Sequence, residues 1–123
     1  MDDFSTLGMP NGFGLYPPAY NYPEPFKRPL SSTCPTVIEN ALNNSFYAAL
    51  GGSGGAKIFP AIIQVFVNIV DGWADDVSGA VEMPRVHNQL YSLQVKVDET
   101  TERGLVKGLR RRRHNVTREY LFL

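Results

Sequence analysis

Residues 46–72 read FYAALGGSGGAKIFPAIIQVFVNIVDG, and the fold turns on how this stretch divides. Phe46–Leu50 is a short apolar run that stops at glycine, as a strand does. Gly51-Gly52-Ser53-Gly54-Gly55 is a loop of small residues, and Lys57–Val70 that follows is almost wholly apolar. Its many β-branched residues suit a strand. Its length, Pro60 in the first turn and Gly72 just past the end favour a buried helix, and length decides for the helix. A glycine loop that opens a helix leaves the first N–H groups of that helix unpaired and lets an anion approach them. It is no phosphate-binding P-loop, because Lys57 follows the last glycine by two positions and Ile58 stands where a metal-binding Ser or Thr is needed. Taken alone, such a loop is more often a tight connection than a site.

Upstream, Thr36–Glu39 is a β-type run and Asn40–Ser45 is rich in turn formers, which with Phe46–Leu50 predicts an antiparallel hairpin. Downstream, Asp75 is a good N-cap for a short helix closed by Pro84. Leu93–Val97 alternates like a strand, Thr101–Arg113 predicts an exposed helix despite Gly104 and Gly108, and Asn115–Leu123 reads as a last strand. Seven of the nine prolines lie in residues 1–35, with Gly8, Gly12, Gly14 and the ring-rich stretch Tyr16–Phe26, so this third can form neither long helices nor central strands. We therefore expect a loop region over 1–35 and a strand–helix core over 36–123, together one incomplete domain. A loop as long as the first usually functions or covers something.

The totals exclude several classes. Across 123 residues, 12 Lys and Arg balance 12 Asp and Glu, which argues against a general nucleic-acid or polybasic membrane-surface binder. Cys34 is the single cysteine, so an internal disulfide and a cysteine-based metal cluster are both impossible. The apolar run Ile58–Val70 is interrupted by Pro60, Gln64 and Asn68 and is too short to span a bilayer. The first residues, with Asp2 and Asp3, do not resemble a cationic leader. Ser31 and Ser32, held between Pro29 and Pro35, can donate to a carboxylate or can simply build a loop. Asp2 and Asp3 can receive an ammonium group or belong to a solvated terminus. The run Arg110–Arg113 with His114 reads as a nucleic-acid patch, a processing site or a solvated helix end, the last being the commonest. Asn43-Asn44-Ser45 and Asn115-Val116-Thr117 fit the N-glycosylation pattern.

Four blocks share one explanation. Asp2-Asp3-Phe4-Ser5 with Pro10-Asn11, then Lys27-Arg28-Pro29-Leu30-Ser31-Ser32, then Gly51 to Gly55, then Pro84-Arg85-Val86-His87-Asn88-Gln89, resemble in order and spacing the C-terminal subunit of the γ-glutamyltransferases, or glutathione hydrolases. The resemblance runs from Met1 to about Val116. It implies an α+β fold, part of the αββα sandwich of the N-terminal-nucleophile hydrolases truncated at both ends, with antiparallel strands and helices. It also implies an activity, the transfer or hydrolysis of the γ-glutamyl group of glutathione or other γ-glutamyl compounds through an N-terminal threonine. By this resemblance Asp3 would receive the substrate's α-ammonium group, Ser31 and Ser32 would bind its α-carboxylate, and the Gly54 and Gly55 N–H groups would hold the oxyanion. Arg85 and His87 fall in a block read as structural. No metal or organic cofactor is implied, and neither a nucleic acid nor a membrane segment.

The same resemblance marks departures. The family's nucleophilic threonine lies upstream of the Asp-Asp block, and Thr6, Thr33 and Thr36 cannot replace it, because activation needs a free N-terminal amine beside the hydroxyl. A carboxylate-binding arginine belongs to the large subunit. The chain by itself is therefore expected to be inactive and to need both the large subunit and the preceding part of the small one. Val86 and Asn88 stand for an aromatic and a histidine, and Asn40–Tyr47 is longer than the usual turn. The resemblance places the parent family on the secretory route, membrane-anchored, vacuolar or extracellular, and assigns this chain no compartment. The alternative is a non-catalytic interaction protein that uses exposed sheet edges and the Arg110–Arg113 run.

Overall fold

A computed structural model describes residues 5–12, 14–89 and 92–121. The chain forms two compact units, one ending at Ser32 and one beginning at Thr33. Each is described by itself.

The first unit is irregular, as its prolines require. A single 3₁₀ turn, Ala19–Asn21, is its regular element among the described residues. Asn11 organises one loop, its side chain accepting from Leu15 N–H at 3.0 Å and its carbonyl accepting from Gly14 N–H at 2.9 Å.

The second unit opens with the expected hairpin. Strands β1 (Thr36–Glu39) and β2 (Phe46–Leu50) pair antiparallel, Thr36 opposite Leu50, with an irregularity at Ile38/Glu39. Asparagines build the turn. Asn40 Oδ1 accepts from Leu42 N–H at 2.9 Å and Asn43 Oδ1 from Ser45 N–H at 3.0 Å, while Asn44 takes the left-handed conformation, φ 55°, that asparagine tolerates.

Helix α1 (Ile58–Val70) then confirms length over β-branching. Ile58, Ala61, Ile62 and Val65 are buried at the i, i+3, i+4, i+7 spacing of one helix face. Gly72, φ 67°, donates to Ile69 O at 3.4 Å in the turn just past the helix, a conformation that a residue with a Cβ rarely adopts. Helix α2 (Val77–Glu82) starts one residue later than the sequence suggested: Asp76, not Asp75, is the N-cap, its carboxylate accepting from Gly79 N–H at 2.7 Å. Two adjacent acids are chemically equivalent, and the extended backbone of Asp76, φ −150°, selects it.

A three-stranded sheet follows, in the order β3 (Val86–His87), β4 (Gln94–Val97), β5 (Asn115–Arg118). β3 and β4 are antiparallel; β4 and β5 are parallel, Val95 opposite Val116, joined through helix α3 (Arg103–Arg111). Parallel neighbours need a crossover, and α3 supplies it. Val95, Val97, Val106 and Val116 form the core, with Val86 and Leu109 packed on it. Burying each valine contributes roughly 1.5–3 kcal/mol.

Helix α3 is shorter than the expected Thr101–Arg113, because the chain leaves it through a left-handed residue, Arg113, φ 67°. Arg113 N–H reaches Arg110 O at 2.9 Å and His114 N–H reaches Leu109 O at 3.2 Å, the paired bonds of a Schellman end. The last strand likewise stops at Arg118, short of the expected Asn115–Leu123, whose last two residues lie outside the described ones, although Glu119 N–H still bonds Val97 O at 2.9 Å.

Gln64 joins α1 to the sheet. Its Nε2 donates to Val86 O at 2.8 Å and its Oε1 accepts from Val86 N–H at 2.7 Å, so one side-chain amide closes both backbone groups on the outer edge of β3. Replacing Gln64 by Leu leaves both groups without a partner, at roughly 1–3 kcal/mol per buried unpaired group. The expected outcome is a loss of about 2–3 kcal/mol in urea unfolding with the slope unchanged; a loss under about 0.5 kcal/mol would remove this bond pair from the account of the fold.

Candidate functional site

The glycine loop sits at the mouth of α1. Gly54, φ 115° and ψ 23°, and Gly55, φ 62°, both adopt left-handed backbone, which swings the chain out of β2 and into a 3₁₀ turn, Gly55–Lys57, that runs on into α1. Lys57 N–H bonds Gly54 O at 3.2 Å. Among the described residues neither the Gly54 nor the Gly55 N–H donates to a protein acceptor. These two donors precede a thirteen-residue helix whose N-terminal end carries partial positive charge.

Beside the loop lies a cleft of about 390 Å³. Leu50, Ala61, Ile62, Val65 and Val81 give it apolar walls, Gly51 to Ser53 form a rim, and Arg85 brings a cation. The Arg85 guanidinium is held by backbone oxygens, Val81 O at 2.5 Å and Leu121 O at 3.4 Å. Lys57 serves elsewhere. Its ammonium faces Glu119 at 3.6 Å, and Lys96 bonds the other Glu119 oxygen at 2.7 Å. His87 is buried in β3, its Nε2 3.3 Å from Gln89 Oε1.

The other expected site residues lie in the first unit. Ser31 is exposed and Ser32 half-buried, in chain after Pro29 that belongs to no helix or strand. A cleft of about 190 Å³ in the same unit is lined by Ser5, Tyr22, Glu24, Lys27 and Arg28 among others. Ser5 is 4% exposed, and its hydroxyl has no partner among the described residues. Lys27 bonds Tyr22 O at 3.0 Å. Asp3, with Asp2 and Phe4, lies outside the described residues. Gly54 and Gly55 thus share a loop in one unit, and Ser31 and Ser32 are neighbours in the other. Sequence reasoning passed over Gln64, whose position inside an apolar run looked like a mere interruption. It also took Ser5 only as part of a block; a lone serine after an aromatic carries no further signal.

The whole-chain match decides the family, since the sequence model described as Gamma-glutamyltranspeptidase covers residues 1–122. The chain belongs to the γ-glutamyltranspeptidase family. It is 39% identical over 119 residues to the glutathione hydrolase proenzyme of Arthroderma benhamiae, covering 97% of this chain and 20% of the relative. It is 52% identical over 103 residues to glutathione hydrolase 3 of Arabidopsis thaliana, covering 82% of this chain and 15% of that protein. A mutant γ-glutamyltranspeptidase of Helicobacter pylori superposes with a TM-score of 0.86 at 31% identity, over 97% of this chain and 63% of the solved one. The chain therefore spans about a fifth of the length of the first of these curated relatives. Over that span its mixed α+β architecture is that of the family's N-terminal-nucleophile hydrolase fold.

Two carboxylates next to the site have acid-side consequences. Glu119 is held below its ordinary 4.5, chiefly by its hydrogen bond from Lys96, with the charges of Lys96 and Lys57 adding to it. Asp98 is held below its ordinary 3.8, chiefly by the Thr100 N–H that donates to it at 3.0 Å, with the Thr100 hydroxyl at 2.8 Å in support. A carboxylate whose folded pKa is lowered favours folding above its unfolded pKa, and the benefit is lost as pH falls through the folded value. Stability is expected to be level with respect to these groups above their ordinary values of 4.5 and 3.8 and to decline below them. The Glu119→Gln variant should show a shallower acid decline in thermal melts recorded across this range, and an unchanged slope would contradict the assignment.

Proposed function

We propose that these residues form part of an enzyme that transfers or hydrolyses the γ-glutamyl group of glutathione and related compounds. The reading rests on one observation above the others. In a chain matched to the γ-glutamyltranspeptidase family over residues 1–122, the loop at Gly54 and Gly55 turns through two positive-φ glycines and leaves two N–H groups open at a helix N-terminus.

In this reading the two N–H groups stabilise the oxyanion formed when a nucleophile attacks the γ-amide carbon. Donors fixed beforehand stabilise the charge that develops in the transition state more than the uncharged carbonyl of the ground state, which is what lowers a barrier. Ser31 and Ser32 donate hydroxyl hydrogens to the substrate's α-carboxylate, and Asp3 accepts from its α-ammonium group. Together they grip the amino-acid end of the substrate, so that the γ-carbon is presented in one orientation. The attacking threonine and a carboxylate-binding arginine come from outside residues 1–123, from the preceding part of the small subunit and from the large subunit. Glutathione and other γ-glutamyl compounds are the substrates, and water or an amino acid is the acceptor.

Kinetics on a γ-glutamyl anilide with the complete enzyme separate these roles. Gly54→Ala forces a Cβ onto left-handed backbone and displaces the donors, so kcat is expected to fall on the order of 10²-fold. Ser31→Ala and Ser32→Ala act on binding and are expected chiefly to raise KM. A folded Gly54→Ala enzyme with undiminished kcat would overturn the oxyanion assignment. Residues 1–123 expressed alone are expected to release no anilide product above the buffer blank; steady turnover by that polypeptide would refute an external nucleophile.

A further inference from the structure

The neutral charge total hides a strong partition. Between Arg103 and Arg118 the chain carries seven of its twelve Lys and Arg and no Asp or Glu, so the remaining residues carry five against twelve. The fold gathers much of this charge into one depression. A cleft of about 540 Å³ is lined by Arg103, Lys107, Arg110 and Arg111 of α3, by Arg118 of β5, and by Val106 at its floor. Arg103, Lys107 and Arg110 follow the 4, 3 spacing of one helix face, and Arg111 flanks it. No carboxylate lines the cleft, and among the described residues none of its five cations enters an ion pair.

Two of the guanidinium groups are already positioned. Arg110 Nη2 donates to Val116 O at 3.2 Å, and Arg118 donates to Glu99 O and, at 2.9 Å, to Thr101 O. Neutral carbonyls fix the forks without cancelling their charge, and the remaining N–H groups are left for a ligand. Five like charges around one depression repel each other, and a compact anion of several charges relieves that repulsion.

We propose that this cleft binds an oligophosphate, a compact anion of three or more linked phosphate groups. Guanidinium forks match phosphate oxygens in pairs, which a single carboxylate would leave mostly unused. No aromatic ring lines the cleft, so there is no platform on which a nucleic-acid base would stack. Nor can α3 insert into a membrane, because Val106 and Leu109 on its apolar side belong to the core.

Titration calorimetry of the full chain with inorganic tripolyphosphate tests the proposal. One saturable site per chain is expected, weakening as salt rises from about 0.05 to 0.2 M. The triple variant Arg103→Gln/Lys107→Gln/Arg111→Gln changes exposed side chains and should bind about tenfold more weakly or worse. Arg112→Gln/Arg113→Gln, which lie outside the cleft lining, should bind within about twofold of the parent. The charge-preserving Arg103→Lys/Arg111→Lys keeps the field but removes two forks, and should bind severalfold more weakly than the parent yet more tightly than the triple variant; melting curves of every variant check the fold. Adenosine triphosphate in place of tripolyphosphate distinguishes the sources: equal affinity means recognition of the phosphate chain alone, and tighter binding adds a contact to the nucleoside. Absence of saturable binding would overturn the proposal. So would equal losses in the triple and double variants, or a duplex DNA that binds far more tightly in several copies per molecule.

Discussion

The second unit depends on a side chain that acts as a strand. β3 is two residues long and lies at the edge of its sheet, where unpaired backbone groups would invite water or another chain. Gln64 offers Val86 one acceptor and one donor, as a neighbouring strand would, and does so from a helix. The bracket also fixes the roll of α1 about its axis. Positions 57, 61, 64 and 68 follow 4, 3, 4 spacing along one side of that helix. Lys57 reaches Glu119 just beyond β5, Gln64 reaches Val86 in β3, and Asn68 donates to Ala80 O in α2 at 3.3 Å. Three polar contacts to three different segments line one seam, and the buried apolar face runs beside it. Any rotation that broke the seam would also withdraw Ile58, Ala61, Ile62 and Val65 from their cover.

The glycine loop inherits its direction from the same constraint. Ile58 begins α1, so the roll that Gln64 sets also sets where the Gly54 and Gly55 amides point. Polar anchors are suited to this task. Apolar packing alone tolerates small sliding and rotation, whereas an amide with both its donor and its acceptor engaged has one geometry.

What the sequence made legible was local. The Asn-rich turn, the apolar helix and Gly72 at its end follow from turn chemistry and period, which act over a few residues. The left-handed exit at Arg113 was hidden, because arginine gives no sign of φ above zero where glycine would have. The parallel pairing of β4 with β5 was hidden too, since a strand does not name its partner. Gln64 and Asn68 counted as interruptions of an apolar run, and their value rests on Val86 and Ala80, residues 22 and 12 positions away. The candidate site divides along the same line. Gly54 and Gly55 were readable as a loop before a helix, whereas the roles of Ser31, Ser32 and Asp3 came from resemblance, because a serine pair and an acid carry no geometry of their own.

The two readings of the glycine loop, tight connection and anion hole, have one physical cause. Consecutive left-handed residues are what turns the chain sharply from β2 to α1, and the same twist rotates two amides out of any ladder. The fate of Lys57 bears on which anion would suit the place. A lysine aimed at the loop would hold any resident anion, product carboxylates included, in the ground state. Instead Lys57 is drawn to Glu119, and the loop itself offers only N–H dipoles and the partial charge of the helix end. Such a field is weak toward a solvated ion that must shed its water, and effective toward an oxygen that becomes charged while already in contact. Under the proposed function, the division of charge between Lys57 and the loop suits a transient oxyanion better than a stored one.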